Sequence, residues 1–108
     1  MKIKTTAFQQ KVYDATSRIP RGRVSTYALI GKAIGCMSAQ AVGQALKRNP
    51  FAPKVACHRV ISSALTVGGF FGERTGTEIA RKLKMLAAEG VQFVDGKLAD
   101  PQRVHRFE

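Results

Sequence analysis

Phe8, Val12, Ala15 and Ile19 recur at spacings of three or four residues, which places them on one face of a helix. Thr5 or Thr6 supplies its N-terminal cap, and Pro20-Arg21-Gly22-Arg23 ends it at about Ile19, leaving positive charge on a turn. Beyond Val24, Ser25 or Thr26 caps a second helix, about Thr26 to Ile34, carrying Tyr27, Leu29, Ile30, Ala33 and Ile34. Gly35-Cys36-Met37 breaks it, and Ser38 caps a third, about Ala39 to Lys47. Two short helices joined by a Gly-containing turn read as helix-turn-helix, or as a plain helical hairpin packed into a core.

Downstream the pattern shortens. Asn49-Pro50-Phe51-Ala52-Pro53 is a rigid connector, Val60-Ile61 predicts a short buried strand, and Thr66-Val67 with Gly68-Gly69 predicts a small hairpin or wing. Phe70 and Phe71 follow, either as core or as pocket walls able to stack on a base. Thr75 and Glu78 have the spacing of a capping box that opens a last helix to about Ala88, with Ile79, Leu83 and Leu86 as its core stripe. Glu89-Gly90 ends that helix, and a carboxylate at the negative end of a helix needs a cationic or hydrogen-bonding partner. Val91 to Leu98 predicts a hairpin about Asp95-Gly96, followed by a polar tail. The expected fold is mainly α with a small β wing, a winged helix-turn-helix-like single domain over 1–108, with a monomer as the default state.

Charge changes this picture. Eighteen Lys+Arg against seven Asp+Glu give a net charge of +11 on 108 residues, which points to a polyanion, DNA or RNA first, rather than to a merely soluble surface. The helix-turn-helix reading gains accordingly. Its third helix is slim: Ser38, Ala39, Ala41, Gly43 and Ala45 offer few long side chains for base edges in the major groove, while Lys47 and Arg48 stand at its end for phosphates. A slim helix with basic flanks suits the minor groove and binding with little regard to sequence; otherwise its small residues serve close helix packing. No apolar run is long enough to span a membrane, and Met1 to Thr6 lacks the apolar core of a signal peptide. Two free thiols in a reducing, cytoplasmic setting are expected, nuclear in a eukaryote. Cys36, Cys57, His58 and His105 fit no metal-ligand spacing, and no phosphate-cradling Gly-rich motif occurs, so neither metal nor cofactor is expected.

The chemistry concentrates in Pro53-Lys54-Val55-Ala56-Cys57-His58-Arg59-Val60-Ile61. A thiol among apolar residues is ordinarily a packing residue, but beside an imidazole it can be held as the nucleophilic thiolate. Adjacent side chains do not face each other on a helix or strand, so direct Cys57–His58 contact needs a tight turn, or else a bridging water.

Together with the helix-turn-helix, this stretch resembles the C-terminal domain of O6-alkylguanine-DNA alkyltransferases. Ala56-Cys57-His58-Arg59-Val60-Ile61 is similar to the family's Pro-Cys-His-Arg-Val signature. Val24-Ser25-Thr26-Tyr27, Ala41-Val42-Gly43, Asn49-Pro50, Gly68 and Leu86-Ala87-Ala88-Glu89-Gly90 support it in order. The resemblance implies a duplex-DNA repair protein that binds through the minor groove, flips O6-alkylguanine out, and takes the alkyl group once and irreversibly. By that resemblance Cys57 is nucleophile and acceptor, His58 acts through a water, and Glu89 orients His58. Asn49 ties the cysteine turn to the recognition helix, and Tyr27 donates to the flipped base and crowds its phosphate. Carbonyls of Cys57 and Val60 accept from the guanine amino group, Gly68, Phe70 and Phe71 border the pocket, and Ala41 and Gly43 face the groove. The sequence departs from the pattern at Ala56, where proline is usual, and at Gln40, where an arginine fills the space left by the base. Phe70 stands in place of a frequent tyrosine and Phe71 in place of a small residue.

A related branch, the alkyltransferase-like proteins, also lacks the separate N-terminal domain of many members. It carries another residue, often tryptophan, at the cysteine position and flags lesions for excision-repair proteins. Retention of Cys57-His58-Arg59 with Glu89 favours the alkyltransferase. A winged-helix regulator with a structural thiol would instead need sequence-specific major-groove contacts, for which the slim helix is poorly made.

Overall fold

A computed structural model describes residues 5–36, 38–51, 55–68 and 76–107. Helix α1 spans Ala7–Ser17 behind a capping box, in which Thr6 Oγ1 accepts from Gln9 N and Gln9 Oε1 accepts from Thr6 N, both at 3.0 Å. It stops two residues before the expected end because a tighter turn, Ile19 N to Thr16 O at 3.1 Å, leads into Pro20. Ile19 nevertheless stays on the buried face with Val12 and Ala15. Helix α2 covers Tyr27–Ala33, capped by Thr26 Oγ1 on Leu29 N at 3.1 Å. Helix α3 covers Ala39–Lys47, capped by Ser38 Oγ on Ala41 N at 3.1 Å. Val42, Ala45 and Leu46 turn inward and leave the small-residue face outward.

The turn between α2 and α3 depends on a glycine. Cys36 N donates to Gly31 O at 2.7 Å, and a Cβ on Gly31 would lie 2.5 Å from Cys36 O. No side chain fits there.

The two-residue strand β1, Ser25–Thr26, runs parallel to β2, Val60–Ile61, in the register Ser25 to Val60 and Thr26 to Ile61. This pairing sets the segment after Cys57 against the start of α2. The expected hairpin of Thr66-Val67 with Gly68-Gly69 continues past Gly68 outside the described residues. Ser62 N donates to Thr66 O at 3.0 Å, Leu65 adopts φ 64°, and Thr66 then bridges antiparallel to Lys97. The wing is the antiparallel pair β3, Phe93–Val94, and β4, Lys97–Leu98, closed by Asp95 and Gly96 at φ 51° and 80°. Helix α4, Thr77–Ala88, starts at Gly76 rather than at the expected box. Glu78 then falls within its first turn, 3.5 Å from Arg81, and Thr75 lies outside the described residues.

Two apolar clusters result. One gathers α1, α2 and α3 around Val12, Tyr13, Ile30, Val42, Cys57 and Val60; the other holds Val24, Ile61, Leu86, Val91, Leu98 and Val104. The tail is therefore more than polar. Val104 is buried and bridges Val24, with His105 N on Val24 O at 2.6 Å.

Candidate functional site

Cys57 opens a single 3-10 turn, Cys57–Arg59, that delivers the chain into β2. Its side chain packs in the first apolar cluster, so the plain packing role is realised as well. Asn49, buried at the end of α3, holds the approach: its Nδ2 donates to Val55 O and its Oδ1 accepts from Phe51 N, both at 2.9 Å. Tyr13 adds a second brace, with Oη on Ala45 O at 2.7 Å and its ring edge-on to Phe51.

The turn sends His58 and Arg59 to one carboxylate. His58 Nε2 lies 2.8 Å from Glu89 Oε2, while Arg59 donates Nε to Oε1 at 2.9 Å and Nη2 to Oε2 at 3.1 Å. Arg59 Nη1 also reaches Ile19 O at 2.9 Å, tying the group to the end of α1. Glu89 is the C-cap of α4, so the expected partners of this unfavourably placed charge are a guanidinium and an imidazole. Burial works against its ionisation, yet the Arg59 and His58 hydrogen bonds and charges prevail and pull its pKa down to about 2. An ionised carboxylate only accepts, so His58 must carry its proton on Nε2, leaving the Nδ1 lone pair available. Burial lowers the His58 pKa despite Glu89, which keeps the ring neutral.

Burial raises the Cys57 pKa, opposed by the Asn49 amide and the Lys82 charge. Lys82 is itself fully buried, its Nζ donating at 2.6 Å both to Val60 O and to Val67 O.

Tyr27, at the start of α2, is half-buried with its ring between two glycines. A Cβ on Gly68 would lie 3.3 Å from Tyr27 Oη, and one on Gly43 3.9 Å from the ring's other edge. The outward face of α3 presents Gln40, Ala41, Gly43, Lys47 and Arg48, with Gln40, Lys47 and Arg48 exposed. Phe70 and Phe71 lie outside the described residues. Among the described residues no cluster of His, Cys, Asp and Glu fits a metal ion, and no helix is long and apolar enough to cross a membrane.

Residues 7–91 match the family model of the 6-O-methylguanine DNA methyltransferase DNA binding domain. The chain belongs to this family. The constitutive methylated-DNA–protein-cysteine methyltransferase of Bacillus subtilis is 48% identical over 73 residues, 67% of this chain and 44% of that protein. The methylated-DNA–protein-cysteine methyltransferase of Archaeoglobus fulgidus is 37% identical over 91 residues, 83% of this chain and 60% of that one. The chain thus spans roughly half the length of these curated relatives. Among solved structures, S. pombe Atl1 in complex with damaged DNA containing O6-carboxymethylguanine superposes with a TM-score of 0.81 at 33% identity, covering 95% of this chain and 98% of that one. M. tuberculosis OGT in complex with DNA gives 0.67 at 38% identity, covering 82% and 52%. The family membership agrees with the helix-turn-helix and wing.

Three contributors escaped the sequence reading. Tyr13 was hidden because it lies beside the apolar stripe rather than on it. Arg59 was seen but not matched to Glu89, thirty positions away in sequence. Lys82 had a legible sign, since it interrupts the inward stripe between Ile79 and Leu86.

Proposed function

We propose that this protein repairs O6-alkylguanine in duplex DNA by moving the alkyl group, methyl in the simplest case, onto Cys57. The observation that carries this reading is His58, next to Cys57 in the 3-10 turn, with its Nε2 held 2.8 Å from Glu89 Oε2. A water between Nδ1 and Sγ would pass the thiol proton to His58. The thiolate then forms the S–C bond as the C–O6 bond breaks; the electron pair goes to O6, and the base regains a proton to become guanine. The thioether has no route back to thiol, so each molecule acts once.

O6 lies within the base stack, so the nucleotide must be flipped out, at a few kcal/mol and less for a poorly paired lesion. Tyr27, set between Gly43 and Gly68, would donate to the flipped base and crowd its phosphate. The Val60 and Cys57 carbonyls would accept from the guanine amino group. Ala41 and Gly43 allow α3 into the minor groove, Gln40 stands where the base leaves the stack, and Lys47 and Arg48 hold phosphates. Such contacts weaken steeply with salt. Phe70 and Phe71 are assigned to the pocket wall on the resemblance alone.

Quantifying guanine restored in a duplex oligonucleotide carrying O6-methylguanine tests this: one guanine per protein molecule, and none with Cys57→Ala. Restoration well beyond one equivalent would contradict a single use; none at all, with binding intact, would contradict the transfer.

The 0.81 superposition on Atl1 favours a second reading, in which the protein binds the alkylated base without removing the alkyl group and hands it to excision-repair proteins. That reading predicts preference for alkylated over plain duplex that survives Cys57→Ala, with no guanine restored by the wild type.

A further inference from the structure

Burying a lysine is costly: its ammonium must find replacements for water, and a residue of this kind is almost never fully buried unless paired. Lys82 is fully buried, on the inward face of α4 between Ile79 and Leu86, where a leucine would satisfy the apolar stripe at no such cost. Its Nζ donates at 2.6 Å to Val60 O, in the strand that leaves the cysteine turn, and at 2.6 Å to Val67 O, beside Gly68 and Tyr27. It thereby joins two segments that border the site. The groups that sense its charge are Cys57, whose thiolate it favours, and His58, whose protonation it opposes.

We propose that Lys82 is a positioning residue for Cys57, its buried ammonium clamping Val60 and Val67 and supplying the positive charge that offsets burial of the thiolate. This deepens the alkyl-transfer reading and rests on it for its purpose, though not for its chemistry. Thiolate and ammonium each lower the cost of burying the other, while burial itself opposes both charges and raises the Cys57 pKa. Burial pulls Lys82 down to about 7, and the Cys57 thiolate pushes it back up. Burial is the main cause of the lowered His58 pKa, and the Lys82 charge adds to it in the same direction while favouring the Cys57 thiolate. The arrangement has a consequence after reaction. Alkylation turns the anion into a neutral thioether, which removes the charge that held Lys82 protonated, so the spent protein gives up the Lys82 proton more readily.

The test uses the DNA-free protein in a Cys36→Ser background, leaving Cys57 as its one thiol. The rate of carboxamidomethylation by iodoacetamide is followed against pH by intact mass, for Lys82, Lys82→Gln and Lys82→Met. Gln keeps donors for the carbonyls without the charge; Met keeps neither. Both variants are expected to move the Cys57 profile to higher pH and slow the reaction near neutrality, about tenfold for each unit of pKa. A folded Lys82→Gln or Lys82→Met with the wild-type profile would overturn the proposal. Should neither variant fold, the Lys82 side chain is titrated by NMR in otherwise wild-type protein, before and after Cys57 is capped with iodomethane. A fall in its pKa on capping supports the pair, and an unchanged value overturns it. Neither assay contains DNA, so failure to repair O6-methylguanine would sink the functional reading and leave this one standing, and the reverse holds.

Discussion

Arg59 and Glu89 form a two-pronged pair, Nε to Oε1 at 2.9 Å and Nη2 to Oε2 at 3.1 Å, and the same carboxylate faces His58 Nε2. Lys at position 59 could place one ammonium but not a planar fork. Arg59→Lys is therefore expected to leave Glu89 less compensated and raise the His58 pKa toward the charged form, which has no lone pair on Nδ1. An NMR titration of the His58 ring should show the rise, with alkyl transfer slowed once the pH falls below the raised pKa. An unshifted His58 would refute the role given to Arg59.

The same cluster makes the fold acid-labile. Glu89 titrates near 2 when folded against 4.5 as its ordinary value, and the His58 pKa is also lowered from 6.5. In both cases the unfolded chain binds more protons within the window, so stability falls as pH drops, first below 6.5 and then from 4.5 toward 2. Urea unfolding of Glu89→Gln should show a weaker dependence between pH 4.5 and 3 than the wild type. Parallel curves would remove Glu89 from the account.

Gly31 and Gly43 lie in adjacent helices and should respond oppositely to alanine. At Gly31 the methyl would meet backbone, Cys36 O, at 2.5 Å, so the turn must shift; a loss of about 1–3 kcal/mol is expected. At Gly43 the methyl finds ordinary contact 3.9 Å from Tyr27, and helix propensity favours alanine by about 1 kcal/mol. Gly43→Ala should thus be stable yet bind duplex less tightly if α3 enters the minor groove. Equal binding would argue against that docking.

Gly68→Ala combines two penalties. Its φ of 71° disfavours a side chain, and the methyl would press on Tyr27 Oη and Ser62 N, each at 3.3 Å. A destabilisation of about 1–2 kcal/mol is expected. Transfer should fall further than the folded fraction does. A loss of transfer that merely tracked unfolding would show that Tyr27 is not displaced.

The helices were legible because their signals are local: a hydroxyl cap at Thr6, Thr26 and Ser38, an apolar stripe, a stopping glycine or proline. The Asp95-Gly96 turn was legible for the same reason, both residues taking positive φ. What pairs at a distance was not. Ser25-Thr26 is too short and too polar to announce a strand, and only Val60-Ile61 alongside makes it one. Thr66 had turn neighbours but no sign of Lys97 as its partner. At the site, the sequence pointed to Glu89 needing a partner, whereas the convergence of Arg59 and His58 on it depends on the 3-10 turn. Lys82 was legible only as an interruption of the apolar stripe, and its partners, the carbonyls of Val60 and Val67, come from distant segments.

Cys57 is the proposed acceptor of the alkyl group. Intact-mass and peptide-mass analysis after mixing the protein with duplex carrying O6-methylguanine tests it directly. One added methyl is expected, located on Cys57 and absent in Cys57→Ser. Tight binding of that duplex with no change in protein mass would contradict it and leave lesion recognition without repair.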